Sequence, residues 1–441
     1  MPRLPRRLLL SAAVLALVLA VPGTGVAGAP AAPRPDPAGI LDLPRGFSYS
    51  VLATGGQTPV VSTESGQTFP MPEDPDANVL TPAIGGGWWL TTAHELTEPR
   101  PGDFQGDAGK AAVDEQAIAD DGDSDGWGSV TRLRLSPGGR RVLDAEVITT
   151  GLHNLCAGDL TPWGTMLVNE EFPFRADPEL RSGWSWEVDP VTGHATRLTG
   201  MGRFSHEQQA LGADGAWYLT DDRGDFRFLY RFVPNSRFNL VNGRLYGLAF
   251  DRASGHGSWV GPLDYRDPHA DMVARGYDPA VAGFDKIEGI IAGPHGRSLY
   301  MSESGATGQP GAVWRFAQLS DRGLDGRVVL EGDFAELSHP DNLRFTPGGD
   351  LLVLEDNGSD LGRQPATGGR NQVWLFPRGR AHGGRVFAVV QATSGGDEEP
   401  VGGEPTGPWF HPNGRVMYLS IQADPSYILA VRGPWMKGIK H

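Results

Sequence analysis

The 441-residue chain carries 38 Lys and Arg against 53 Asp and Glu, a net charge of −15, with 62 Gly, 36 Pro and a single Cys. That acidic balance excludes a nucleic-acid binder, because phosphates need basic partners, and one cysteine excludes any intramolecular disulfide. Acids in such excess are either solvated surface or oxygen ligands for cations such as calcium.

Residues 1–29 read as an export signal. Arg3, Arg6 and Arg7 precede an apolar run from Leu8 to Val21, which is too short to span a bilayer as a helix. Small residues suited to cleavage follow around Ala27-Gly28-Ala29. Arg6-Arg7 before three leucines is compatible with twin-arginine export, although a Sec leader also carries basic residues. Without these three arginines the net charge falls from −15 to −18. No later segment is apolar for long enough to cross a membrane. Residues 30–441 are therefore expected to form one exported, soluble, monomeric domain.

A turn-and-strand unit then recurs along the chain. The first, loose copy is IGGGWWLTTAHE (84–95). TPWGTMLVNEE (161–171), GADGAWYLTDD (212–222), GPHGRSLYMSE (293–303), TPGGDLLVLED (346–356) and HPNGRVMYLSI (411–421) follow. Each is a glycine turn with a run of apolar or aromatic residues behind it, which is the pattern of a buried strand. Strand units repeated at such intervals predict an all-β fold, a six-bladed β-propeller with long inter-strand insertions. Between the first two copies lies DGDSDGWG (121–128), which opens like a calcium loop but has Arg132 where the twelfth-position glutamate belongs. A solvated acidic loop is the preferred reading there.

The strand ends carry the chemistry. Glu170-Glu171, Asp221-Asp222, Ser302-Glu303 and Glu355-Asp356 stand six and seven residues after their turn glycines, and the loose copy ends in His94-Glu95. Equivalent strands surround one axis in a propeller, so Glu95, Glu171, Asp222, Glu303 and Asp356 are expected at one mouth of one channel. Acids crowded there repel one another, and burying them uncompensated is costly, so the ring calls for cations. Polar residues also precede each turn: Cys156, His206-Glu207, Asp285-Lys286 with Glu288, Asp341-Asn342 and Glu404. Cys156, Glu207 and Glu288 each lie eight residues before their turn glycine. Hairpin geometry then returns Cys156 beside Glu170-Glu171 and Glu207 beside Asp221-Asp222. A thiolate among carboxylates suits a transition metal, whereas oxygen-only positions suit calcium. Alternatively, Cys156 is a small buried hydrophobe.

These strings resemble the PhoX-type alkaline phosphatase family over most of the chain. The resemblance rests on Asn154, Cys156-Ala157-Gly158, Thr161-Pro162-Trp163-Gly164-Thr165 and Glu170-Glu171. It extends to Gly202-Arg203-Phe204 with His206-Glu207, Asp221-Asp222 with Tyr230-Arg231-Phe232-Val233, Pro340-Asp341-Asn342, and Glu404 with Thr406-Gly407-Pro408. It implies a six-bladed propeller that hydrolyses phosphate monoesters, small-molecule substrates, with Ca2+ and Fe3+ and a cysteine among the iron ligands. It further implies Cys156, Glu207 and Glu288 on the iron side and Glu171, Asp222, Glu95 and Glu404 on the calcium side. Lys286 and Arg203 are then the cations that face the transition state.

The chain departs from the family pattern at three points. Lys286-Ile287-Glu288 stands for arginine-proline-glutamate, Ala93-His94-Glu95 for asparagine-histidine-glutamate, and Gln422-Ala423-Asp424 for glutamine-histidine-proline. Lysine keeps the charge but loses the planar fork that grips phosphate. Two other readings follow from the same residues. One is a calcium-only propeller hydrolase of the lactonase or phytase-like kind, against which Cys156 argues. The other is a catalytically weak binding propeller, against which the acids argue.

Overall fold

The computed structural model describes residues 32–96, 128–171, 173, 182–223, 225–305, 309–334, 336–357, 370–378, 383–394 and 401–436. The leader and all but the last residue of the 121–128 loop lie outside the described residues.

The apolar runs form short antiparallel strands because each is bounded by a turn that reverses the chain. In the best-defined case the Thr161 N–H donates to the Thr165 carbonyl (2.9 Å) and Gly164 sits at φ +95°, a conformation that a side chain would strain. The strand Met166–Glu170 follows with every residue buried.

Strands pair into four-strand meanders arranged like the blades of a propeller. The inner strands, in chain order, are Pro75–Pro82, Leu155–Leu160, His206–Leu211, Ile287–Ala292, Pro340–Phe345 and Glu404–Phe410. Each contacts the next, and the last contacts the first, which closes the ring. We number the blades by these strands, first to sixth. The third and fourth blades merge into one nine-stranded sheet because their outer strands, His256–Val260 and Gly323–Glu331, also pair. Each of the six inner strands opens one meander, and the all-β propeller arrangement is the one the turn repeats predicted.

The apolar residues sort into six clusters, one at each seam between neighbouring blades. At the fifth–sixth seam, for instance, Leu352, Val373 and Phe387 pack against Met417, Leu419 and Leu429. The ring is tied by early residues: Ser48–Thr54 pairs with Tyr427–Arg432 to complete the sixth blade, and Leu41–Asp42 adds an edge to the fifth.

Candidate metal centre

The same irregularity interrupts each inner strand near the channel. In the first blade the register steps from Pro75↔His94 to Asn78↔Thr92, so Asp76-Ala77 oppose one residue. Glu207-Gln208, Glu288-Gly289 and Asp341-Asn342 are the equivalent pairs in the third, fourth and fifth blades. In the second blade the shift falls beside Cys156. These are β-bulges, which bend a strand and re-aim a side chain. The bulged positions thus deliver Asp76, Cys156, Glu207, Glu288 and Asp341 to one ring. In the sixth blade the bulge comes later, at Gly407-Pro408, and Glu404 reaches the ring from the strand start. Gly407 (φ +56°) admits no side chain, since a Cβ there would lie 2.1 Å from the Asp76 carbonyl oxygen.

A second ring comes from the ends of the adjacent strands. The N–H groups of Glu95, Glu171, Asp222 and Asp356 donate to the carbonyls of Asp74, Asn154, Ser205 and His339, each of which precedes an inner strand. Asp74, Asn154 and His339 hold positive φ to present that carbonyl, an uncommon conformation for residues other than glycine.

The two rings enclose a cavity of about 480 Å³ lined by Glu95, Cys156, Glu171, Glu207, Asp222, Glu288, Asp341, Asp356 and Glu404, with Lys286 and Arg223 as its cations. Three sets of donor atoms lie within 4.8 Å of one another: Asp76, Cys156 and Glu207; Glu95, Cys156 and Glu171; and Glu207, Glu288 and Asp341. Cys156 and Glu207 each belong to two sets. Cys156 Sγ lies 3.2 Å from Asp76 Oδ2, while Asp76 Oδ1 is buried without a hydrogen-bond partner. Amide groups orient the acids. Asn154 Nδ2 donates to Glu171 (2.8 Å) and Glu95 (3.3 Å), Gln422 Nε2 to Glu95 (2.8 Å), and Asn342 Nδ2 to both oxygens of Asp341 (3.0 Å).

Eight carboxylates and a thiol thus face two cations. Burial, and then the neighbouring acids, push Asp76, Glu171, Glu207 and Glu404 well above the usual carboxylate range. Burial and Asp222 do the same to Glu288 against the pull of Lys286. Asp341 is pushed up to about 7 by burial and Asp356. The Cys156 thiol is raised by burial and by Glu207, which disfavours a metal-free nucleophilic role. Burial alone lowers the Lys286 ammonium pKa, but Asp222, at 3.6 Å, and Glu288, in direct contact, outweigh it and hold the charge. Without cations the site can hold its acids only by protonating them. The donor set and the orphaned Asp76 oxygen fit divalent or trivalent metal.

The structure brings together Cys156, Glu207, Glu288, Glu171, Asp222, Glu95, Glu404 and Lys286. It does not place Arg203 or Glu303 in the cavity wall. Arg203 Nε donates to the Ser182 carbonyl (2.7 Å). Glu303 accepts from the Asp285 N–H (2.7 Å) and Trp314 Nε1 (2.6 Å) and pairs with Arg252. The reason is turn length. Gly293 bonds to Ser298, five residues on, whereas Thr161, Gly212 and Thr346 each bond to a partner four residues on. Counting seven from the glycine therefore lands one position short in the fourth blade, and Ser304 occupies the ring position.

Asp76 and Arg223 have no place in the sequence reading, and Asp341 enters it only as a polar strand start and within the Pro340-Asp341-Asn342 string. The Pro-Asp step shared by Pro75-Asp76 and Pro340-Asp341 is the signal that could have found Asp76. Arg223 follows the Asp221-Asp222 pair directly and had no separate signal.

Among solved structures, the chain is similar to Pseudomonas fluorescens PhoX in complex with vanadate, a transition state analogue. That match has a TM-score of 0.69 and 18% identity over 94% of this chain and 100% of that one. Looser likenesses include a virginiamycin B lyase from Staphylococcus aureus with quinupristin, at TM-score 0.41 and 11% identity over 88% of this chain and 99% of that one. Another is the PQQ domain of pyranose dehydrogenase from Coprinopsis cinerea, at 0.43 and 14% over 90% and 98%. No curated protein matches the chain in sequence. The profile of the alkaline phosphatase PhoX family matches residues 27–425, and by that match, which spans both acid rings, the chain belongs to the PhoX family of phosphoric monoester hydrolases.

Proposed function

We propose that the protein hydrolyses phosphate monoesters in the channel cavity, on metal ions held by the two acid rings. One observation carries the reading: among the described residues, eight carboxylates and a thiol line a single cavity whose cations are Lys286 and Arg223. Asp76, Cys156 and Glu207 would hold iron, because thiolate with carboxylate suits a transition metal. Glu288 and Asp341, sharing Glu207, together with Glu95, Glu171, Asp222 and Glu404, offer oxygens to calcium. Bound metals would neutralise phosphate charge and polarise the phosphorus centre.

The chain's own groups supply the rest. Lys286 Nζ, kept charged by its acidic neighbours, is positioned to meet a phosphate oxygen, and Arg223 offers a planar fork where the family's arginine is replaced by lysine. Asn154, Gln422 and Asn342 hold the carboxylates in fixed orientation, as supporting partners of metal ligands commonly do. Residues 1–29 serve as an export leader, and residues 30–441 act outside the cytoplasm as one domain. Among the described residues no helix is long and apolar enough to cross a membrane.

The test is Cys156→Ser. Purified protein should contain iron and calcium, show a visible charge-transfer band and cleave a chromogenic phosphate ester. The variant should lose the band and most of the activity while remaining folded. Full metal content and full activity in the variant would show that the thiol is only a packed side chain.

A further inference from the structure

A second cavity, also of about 480 Å³, opens at the seam between the fourth and fifth blades and shares no lining residue with the channel cavity. It lies at the turn ends of those blades, beside Pro294 and Gly349, whereas the opposite ends of the same strands carry Glu288 and lead to Asp356. At about 3.3 Å per residue, strands of this length separate the two cavities by roughly 15–20 Å.

Two cross-strand rows form its walls. Tyr300, Arg315 and Arg327 are successive register partners across the fourth blade. Phe345, Leu351 and Phe376 are successive partners across the fifth. The Tyr300 and Phe345 rings meet edge-on at 5.1 Å and join the rows. Arg378 adds a third guanidinium from the turn that packs on Gly349. Among the described residues no carboxylate lines the cavity. Asp350, the acid beside it in sequence, already accepts the Arg378 backbone N–H at 3.0 Å. Among the described residues neither Arg315 nor Arg327 has an ion-pair or hydrogen-bond partner for its guanidinium. Like charges directly opposite on antiparallel strands repel. Arg315 is half-buried and Arg327 exposed, so an anion entering from solvent would meet both guanidinium groups beside an aromatic wall.

We propose that this cavity binds a small organic anion with a flat apolar body. Its charged group, a carboxylate or sulfonate, lies between the guanidinium forks of Arg315 and Arg327. Its body lies against Phe345, Leu351 and Phe376. The volume falls within the usual range for small-molecule sites.

The probe is anilinonaphthalene sulfonate, an aromatic anion that fluoresces when it leaves water, titrated into the metal-loaded mature protein. One equivalent should bind, more weakly at high salt, and millimolar inorganic phosphate should not displace it. Combined Arg315→Gln and Arg327→Gln should weaken binding by about 10-fold or more, with phosphatase activity unchanged. A separate Val329→Trp variant, which adds bulk beside Tyr300 and Phe345 and leaves the charges alone, should abolish the same signal. Displacement by inorganic phosphate, an unchanged titration in both variants, or no saturable binding would overturn the proposal.

Discussion

Two neighbouring rows of this propeller carry the same residue types and do opposite things. One row pairs in register with the inner strands: Glu170, Asp221, Glu303 and Glu355. The row one residue further on, Glu171, Asp222 and Asp356, faces the channel with Glu95 and the bulged acids. Glu355 shows the first kind. Its carboxylate accepts from the Ser338 and Gln372 N–H groups and from Trp374 Nε1, each at 3.0 Å, and from Asn357. Glu170 likewise accepts from the His153 and Trp184 N–H groups at 3.1 Å. Glu171, by contrast, has Glu95 and Asp222 for neighbours. A buried acid surrounded by donors braces the blade, while a buried acid surrounded by acids calls for a cation.

The sharpest way to break this comparison is to neutralise one acid of each row. Glu207→Gln should reduce phosphatase activity by more than roughly 100-fold, since even the supporting partners of metal ligands are worth about 10–100-fold. In the metal-free protein at neutral pH the same change should raise the melting temperature, because it removes an acid that folding must otherwise hold protonated beside Glu288 and Asp341. A lower metal-free melting temperature would place Glu207 with the bracing row.

Glu355→Ala should show the converse. It strands three close donors inside the fifth blade, and each stranded buried donor costs about 1–3 kcal/mol. Denaturant melts should show a stability loss on the order of 3 kcal/mol or more, while the folded fraction keeps its specific activity and its metal. Lost metal with unchanged stability would reverse the roles of the two rows.

How far these roles could be read from sequence follows from the range of the interactions. Glycine turns and buried apolar runs are local signals, so the repeated units and the acids at their ends were legible. So was Cys156, because a string of neighbours surrounds it. Which acid of a pair faces the channel depends on strand register, and one extra turn residue between Gly293 and Ser298 was enough to misplace Glu303. Bulges exist only between two paired strands, so Asp76 had no mark beyond its proline. Nothing local separates Arg203, held by the Ser182 carbonyl, from Arg223 in the cavity wall.

The acid rings should also give the metal-free protein an inverted pH response. In the folded metal-free state Asp341 keeps its proton up to about pH 7, whereas its ordinary value is 3.8. Between those values the folded state holds a proton that the unfolded chain has released. Stability is therefore lost as pH rises through that window. Asp76, Glu171, Glu207, Glu288 and Glu404 act in the same direction, because each is raised. Melts in excess chelator should give a higher melting temperature at pH 5 than at pH 8. Metal should reverse the order, because its ligands bind deprotonated. A metal-free protein more stable at pH 8 would mean that the acids are solvated or paired after all.

The smallest expected effect separates the two arginines. Arg203 spends its Nε on the Ser182 carbonyl and its N–H on the Tyr265 carbonyl, so its side chain braces a loop beside the third blade. Arg223 lines the cavity together with Lys286. A cavity guanidinium that meets phosphate in both ground and transition states contributes uniform binding, which appears in KM. Arg223→Ala should therefore raise KM for a phosphate ester about 10-fold with a smaller change in kcat, since roughly 1.4 kcal/mol corresponds to tenfold. Arg223→Lys should recover part of the loss, as charge returns without the fork. Arg203→Ala should leave KM within about twofold and register instead in thermal stability, through the lost carbonyl contact. If Arg203→Ala raises KM and Arg223→Ala does not, the phosphate-facing cation is the one the sequence first pointed to.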